Sequence, residues 1–214
     1  MRVIIAGGGT GGHLFPGIAL AEEFLQRSGE AKVLFIGTER GMEAKLLPQL
    51  GFELKTIDVE GIKGRGLSAL IKSVYQIPVS MWQSRSIIKE FKPNIVIGVG
   101  GYASGPAVIA AYLMKIPTAI AEQNALPGIT NRILGKFVKK IFVTYRQTTK
   151  YFAAEKVMIS GNPVLSNNPG SDARSGGLPP GHAPLHAFMG LPLYRGEQIA
   201  IAGEGTARRP GRRA

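Results

Sequence analysis

The sequence contains no cysteine, which excludes disulfide bonds, thiolate metal ligands and a cysteine nucleophile. It also lacks long apolar runs, because the longest strictly apolar stretch, residues 107–114, is too short to span a bilayer. The N-terminus shows none of the features of a signal peptide, so we expect a cytoplasmic protein. We expect neither a metal ion nor a cofactor.

Acidic residues are scarce, with 14 against 26 Lys and Arg, which gives a net charge of +12. This charge favours polyanionic partners. No nucleic-acid-binding motif is present, and the aromatic residues are not interleaved with basic ones for base stacking. Phosphorylated molecules or an anionic membrane are therefore the expected partners, and nucleic acid is not.

The composition changes abruptly near Val164. Residues 166–214 contain no lysine, but they hold 9 Gly and 6 Pro, a share typical of irregular segments. We therefore expect residues 1–164 to form one domain. Residues 165–214 are expected to be an irregular or disordered tail rich in Gly, Pro and Arg, with at best a short strand at 198–202.

The first part of the chain alternates between strand-like apolar runs and helical stretches, which predicts an α/β fold with a doubly wound, Rossmann-like parallel sheet. Ligands bind such sheets at the carboxyl ends of the strands. We expect Pro16 and Pro106 in the first turns of their helices and Pro78 at a break or kink. The predicted strands are 2–6, 32–36, 53–58, 94–99, 118–121, 140–144 and 156–159, and the predicted helices are 16–26, 43–50, 67–91, 106–114 and 128–136.

A glycine-rich turn, residues 7–13 (GGGTGGH), follows the first predicted strand and leads into a helix. Its N–H groups and the positive helix end are suited to binding a phosphate. Gly7, Gly9 and Gly12 also match the dinucleotide fingerprint GxGxxG, which leaves a dinucleotide-dependent oxidoreductase as a distant alternative. His13 could act as a general base, cap the helix or donate a hydrogen bond to a phosphate.

A second glycine turn, residues 98–106 (GVGGYASGP), follows the strand 94–99. Two such turns at neighbouring strand ends can hold one diphosphate between two helix N-termini. The polar run 122–124 (EQN) follows the strand 118–121, so it should lie at the same edge of the sheet. Its side chains could bind sugar hydroxyls or simply face solvent.

The segment 61–82 combines basic residues with an apolar, tryptophan-bearing helix. This combination is typical of attachment to an anionic membrane surface, although the apolar side chains could equally pack on the sheet. The candidate membrane-contact residues are Lys63, Arg65, Ile71, Lys72, Tyr75 and Trp82.

Taken together, these motifs closely resemble the MurG family of N-acetylglucosaminyltransferases. The resemblance runs through residues 8–13, 15–17, 100–106, 122–124 and 161–164. It implies the N-terminal domain of a GT-B type glycosyltransferase. The family transfers N-acetylglucosamine, with inversion, from UDP-N-acetylglucosamine to the muramoyl C4 hydroxyl of an undecaprenyl-diphosphate-linked peptide acceptor, in peptidoglycan synthesis at the inner face of the cell membrane.

The resemblance also implies roles for individual residues. His13 would be the catalytic candidate, as a base or orienting group for the acceptor hydroxyl. The second glycine turn, through Gly100, Gly101 and Tyr102, would help to hold the acceptor diphosphate. The implied substrate-binding residues are Thr10, Gly11, Gly12, Gly100, Gly101, Tyr102, Ser104, Glu122 and Asn124.

Two departures from the family pattern change the expectation for this chain. Leu165 stands where the family normally has an arginine that reaches the nucleotide sugar, and the sequence after it does not resemble the donor-binding domain. The resemblance therefore implies that this chain is the acceptor-binding half of the enzyme and that it is inactive alone. The alternative is a non-catalytic membrane-associated subunit that needs a separate donor-domain chain.

Overall fold

The computed structural model describes residues 1–59 and 67–163, and only the backbone of residues 67–75. Two short 3-10 helices, Arg146–Tyr151 and Ala154–Lys156, precede the last strand. The strands are β1 (Arg2–Gly7), β2 (Lys32–Gly37), β3 (Glu53–Thr56), β4 (Ile95–Gly100), β5 (Thr118–Glu122), β6 (Lys140–Val143) and β7 (Val157–Ile159). The helices are α1 (Gly11–Arg27), α2 (Met42–Gln49), α3 (Leu67–Phe91), α4 (Ser104–Leu113) and α5 (Ile129–Leu134).

The seven strands form one parallel sheet in the order β3-β2-β1-β4-β5-β6-β7. The chain first builds outward from β1 to β3 and then returns to place β4 on the other side of β1. The strand order therefore reverses between β1 and β4, where Ile4 lies beside Val96. Crevices at such switch points are where open α/β sheets bind ligands.

Alternation along each strand sends side chains to two cores, one on each face of the sheet. On β1, Val3 and Ile5 belong to the core that includes Ile18 of α1, whereas Ile4 belongs to the core that includes Val108 of α4. The central strands are apolar on both faces because helices cover both sides. Helices α1 and α4 consequently begin at the same edge of the sheet but pack on opposite faces.

The structure confirms the predicted parallel α/β architecture and places a strand at each of the seven predicted positions. The expectation for Pro16 was wrong: α1 begins at Gly11, inside the glycine turn, so Pro16 lies in its second turn. Pro78 does not end α3, which is continuous from Leu67 to Phe91. Pro106 does lie in the first turn of α4. The predicted strand at 198–202 and the boundary at residue 164 fall outside the described residues.

Candidate functional site

The first glycine turn, which we call loop 1 (residues 7–13), carries the N-terminus of α1 at the carboxyl end of β1. Thr10 is the N-cap residue, but its side chain makes no capping hydrogen bond, and the first turn of α1 contains no acidic residue. The backbone N–H groups of Gly11 and Gly12 therefore remain available at the positive end of the helix. A β-carbon built at Gly12 would meet nothing within 4 Å, so this part of the loop faces open space.

The second glycine turn, which we call loop 2 (residues 98–106), packs directly against loop 1. The N–H of Gly8 donates to the carbonyl oxygen of Gly100 over 3.2 Å. Gly101 has a φ of +83°, and a β-carbon there would overlap the Gly8 carbonyl oxygen. Likewise, a β-carbon on Gly7 would overlap the Gly100 carbonyl oxygen. The absence of side chains thus lets two backbones touch at the switch point, and the prediction that both turns lie at one edge is confirmed.

Helix α4 starts from loop 2 and offers a second uncapped N-terminus. Its N-cap residue, Ala103, has no capping side chain, and its first turn contains no acidic residue. Tyr102 is exposed beside this terminus, whereas Ser104 is fully buried and its hydroxyl has no hydrogen-bond partner. A β-carbon at Gly98 would overlap that hydroxyl. Substrate contact by Ser104 stays a prediction, and its burial under loop 2 favours a packing role.

His13 lies where the two loops meet. Its Nδ1 is 3.2 Å from Thr10 Oγ1, a hydrogen bond whose donor depends on the imidazole tautomer. A β-carbon on Gly100 would lie 2.8 Å from His13 Nε2, so the ring rests on the bare backbone of loop 2. Burial lowers the pKa of His13 below its ordinary value of 6.5, while the Glu122 carboxylate partly opposes this shift. A neutral imidazole at pH 7 can accept a proton.

Glu122, at the end of β5, points into the protein rather than toward open space. It is 2% exposed, and its Oε1 accepts hydrogen bonds from the Asn124 backbone N–H and side-chain amide at 2.9 and 3.0 Å. Its Oε2 accepts from the Gly128 N–H at 3.2 Å and from Asn131 Nδ2 at 3.0 Å. Direct substrate contact by Glu122 stays a prediction. Its contacts hold the exposed Asn124 in place at this edge.

Glu43, in the first turn of α2, is a residue that the sequence reasoning missed. It is fully buried, and its carboxylate accepts a hydrogen bond from the Gly9 N–H at 2.7 Å. The available sequence signal was the pair Gly37 and Gly41 shortly before it in the chain, because both leave room for its side chain. In a dinucleotide-binding loop the backbone at this second glycine of the fingerprint approaches the pyrophosphate. Here that N–H is already occupied, which weakens the oxidoreductase alternative.

An apolar cavity of about 560 Å³ lies between α3, α4 and α5 and reaches loop 2 at Tyr102. Trp82 on α3 is 71% exposed. Of the other candidate membrane-contact residues, Lys63 and Arg65 lie outside the described residues, as do the side chains of Ile71, Lys72 and Tyr75. Among the described residues, none of the helices combines the length and the apolar character that a membrane span requires. The cavity is lined by Ile77, Met81, Tyr102, Ile109, Ile129 and Ile133, among others.

Comparison with known proteins gives a consistent picture. Residues 3–143 match the model of the glycosyltransferase family 28 N-terminal domain. A UDP-N-acetylglucosamine–N-acetylmuramyl-(pentapeptide) pyrophosphoryl-undecaprenol N-acetylglucosamine transferase from Syntrophus aciditrophicus is 60% identical over 164 residues, which cover 77% of this chain and 45% of that protein. Its counterpart from Myxococcus xanthus is 51% identical over the same length, with 43% of that protein covered.

Solved structures agree with this result. The crystal structure of MurG from Acinetobacter baumannii superposes with a TM-score of 0.65 at 33% identity, over 76% of this chain and 46% of that one. A UDP-GlcNAc 2-epimerase from Neisseria meningitidis gives a TM-score of 0.55 at 16% identity, over 76% of this chain and 46% of that one, which is a likeness of fold alone. The chain thus spans less than half the length of the relatives that it matches.

Proposed function

The chain belongs to glycosyltransferase family 28, as the N-terminal half of a MurG-type enzyme, and from this membership we propose that it binds the undecaprenyl-diphosphate-linked muramoyl-peptide acceptor. The observation that carries the proposal is the contact between loop 1 and loop 2. The two loops bring two uncapped helix N-termini, those of α1 and α4, to one edge of the sheet. Such termini stabilise a polyanion without a metal ion.

The proposed reaction is the transfer of N-acetylglucosamine from UDP-N-acetylglucosamine to the acceptor. The muramoyl C4 oxygen forms a bond to the anomeric carbon, the bond from that carbon to the UDP oxygen breaks, and the configuration inverts. UDP leaves with the electron pair of the broken bond. His13 is proposed to take the hydroxyl proton, a role supported by the burial that lowers its pKa and so favours the neutral imidazole. Asn124, held by Glu122, would contact the sugar.

We propose that the acceptor lies with its lipid toward the apolar cavity beside loop 2, on a protein bound peripherally to the inner face of the cell membrane. Ile77, Ile129 and Ile133 support this placement because all three line the cavity and are about half exposed or more. Large exposed apolar side chains that lie together are typical of interaction surfaces. The basic segment that includes Lys63 and Arg65 would add attraction to anionic lipids.

We further propose that residues 1–164 form the acceptor domain and that the 214-residue chain does not turn over alone. This proposal is supported by the length of the match, because the 164 matched residues cover only 45% of the relative from Syntrophus aciditrophicus. Incubation with UDP-N-acetylglucosamine and the lipid-linked acceptor tests this directly. We expect saturable acceptor binding without product, and multiple turnover by the isolated chain would refute the proposed inactivity.

A second candidate, a membrane-associated subunit completed by a separate donor-domain chain, rests on the same partial coverage of the relatives. Affinity purification of the chain from its own cells distinguishes the two accounts. Recovery of a stoichiometric donor-domain polypeptide that restores transfer would favour the subunit. Failure to recover such a polypeptide, with no activity restored by an added donor domain, would exclude it.

A further inference from the structure

Glu43 is a fully buried carboxylate at the carboxyl ends of the strands, and the reaction proposed above does not use it. Its Oε2 accepts a hydrogen bond from the Gly9 N–H at 2.7 Å. Its Oε1 accepts two more from Thr38, one from the backbone N–H and one from the hydroxyl, both at 2.9 Å. The side chain of one helix thus ties loop 1 to the end of β2.

Three glycines leave the space that this carboxylate fills. A β-carbon at Gly8 would lie 2.5 Å from Glu43 Oε2, and one at Gly37 would lie 2.5 Å from its Cγ. A β-carbon at Gly41 would overlap both carboxylate oxygens. The missing side chain at Gly8 therefore accommodates Glu43, whereas Gly9 and Gly12 have nothing within 4 Å and face open space. Within loop 1, Gly8 is thus the glycine that accommodates Glu43, while Gly9 is held by the same carboxylate through its N–H.

The electrostatics separate Gly9 from Gly11 and Gly12. Helix α2 has an acidic residue, Glu43, in its first turn, so its positive end is already compensated from within. Helices α1 and α4 have no acidic residue in theirs. An anion placed at the N–H of Gly9 would lose that donor to Glu43 and would be repelled by the carboxylate. The same anion at Gly11 and Gly12 meets free N–H groups.

We propose that Glu43 is a positioning residue that fixes loop 1 and directs the acceptor diphosphate to its second half, between Gly11–Gly12 and the start of α4. This inference rests on the proposed function, because it takes the diphosphate-linked acceptor as the ligand. It assigns Glu43 two effects. The hydrogen bond to Gly9 holds the loop in the conformation that exposes the next amides, and the charge excludes anions from the first half.

The test compares Glu43→Gln with Glu39→Gln in the 214-residue chain. Glu39 lies in the connection between β2 and α2, just before Glu43, but is exposed, so its replacement removes the same charge without touching loop 1. Hydrogen exchange at the Gly9 amide reports loop order, and calorimetric titration with a short-prenyl diphosphate muramoyl peptide reports affinity. We expect Glu43→Gln to speed Gly9 exchange and to raise Kd by about tenfold or more, the effect of losing hydrogen bonds to a charged group. Glu39→Gln should change Kd by about fivefold at most.

Three results would overturn the proposal: unchanged Gly9 exchange, tighter binding, or a lower thermal midpoint with an unchanged Kd, which would make Glu43 merely structural. If the wild-type chain does not bind the probe at all, the proposed acceptor function fails, and the positioning of loop 1 is judged from Gly9 exchange alone. The two failures are therefore distinguishable.

A second set of variants keeps the test valid if Glu43→Gln folds poorly. The backbone of Gly41, at φ −81° and ψ 168°, is open to alanine, so Gly41→Ala conflicts with the structure chiefly through Glu43. We expect Gly41→Ala to speed Gly9 exchange in the wild-type background and to have little further effect beside Glu43→Ala. Equal effects of Gly41→Ala in both backgrounds would contradict the placement of the carboxylate.

Discussion

Replacing Gly101 by alanine should separate loop 2 from loop 1, and Gly9 provides a matched control. The two glycines have similar backbone angles, with φ of +83° at Gly101 and +87° at Gly9. Alanine at either position meets the left-handed backbone cost of about 1–2 kcal/mol. Only at Gly101 does the new methyl group also overlap a backbone atom, the Gly8 carbonyl oxygen. That atom cannot rotate away as a flexible side chain could.

The extra cost at Gly101 can be worked out from the contact that must break. Separation of the loops removes the 3.2 Å hydrogen bond from the Gly8 N–H to the Gly100 carbonyl, and a buried donor left unsatisfied costs about 1–3 kcal/mol. We therefore expect Gly101→Ala to lower the free energy of unfolding by about 2–5 kcal/mol and Gly9→Ala by about 1–2 kcal/mol. Urea unfolding with an unchanged m-value measures both changes. Equal losses in the two variants would refute the argument that the loops touch through Gly101.

The remaining predictions concern the other side chains of this edge. Burial lowers the pKa of His13 in the folded state, so the unfolded chain binds the proton more tightly. The free energy of unfolding should therefore fall as the pH drops below about 6.5, and this pH dependence should be smaller in His13→Gln. In an enzyme that carries both halves, His13→Ala should lower kcat by about 10²–10⁴-fold, and near-normal turnover would leave His13 only a structural role. Trp82→Ala should weaken binding to anionic vesicles, measured by co-sedimentation, by about five- to tenfold. Leu113, which is also apolar and exposed but lies at the far end of α4, provides the control, and Leu113→Ala should leave vesicle binding unchanged. Equal effects of the two substitutions would place the membrane surface elsewhere. Glu122→Ala removes the carboxylate that accepts hydrogen bonds from four donors, so the free energy of unfolding in urea should fall by about 2–4 kcal/mol. Binding of the lipid-linked substrate should also weaken, because Asn124 loses its support. An unchanged free energy of unfolding would contradict these contacts.

The parallel sheet could be predicted from the sequence because its central strands are apolar on both faces. The stretches around Ile4 and Ile97 read as continuous apolar runs, and each ends in glycines where a helix must begin. The position of the two turns at one edge followed from parallel topology alone. The direct contact between the two turns could not be predicted, because whether β1 and β4 are neighbours in the sheet depends on which crossover the chain takes.

Local details of the site could not be predicted from the sequence, for physical reasons that differ from residue to residue. Helix α1 begins before Pro16 because the bare glycines of loop 1 adopt helical geometry at Gly11, although glycine is a poor helix former. Glutamate is usually a surface residue, and only the fold shows that Glu43 is buried among glycines. Ser104 sits in a motif suited to a ligand yet turns its hydroxyl under loop 2. Side-chain direction within a turn depends on tertiary packing, which a single sequence does not reveal.

The proposed function depends above all on binding of the lipid-linked acceptor's diphosphate by the backbone amides at the switch point. Titration of the ¹⁵N-labelled chain with a short-prenyl diphosphate muramoyl peptide tests this most directly. We expect saturable shifts of the Gly11, Gly12 and Gly105 amides, with the exposed turn at Gly51 serving as an unaffected reference. Saturable binding that leaves those three amides unmoved, or shifts confined to other faces of the sheet, would contradict it.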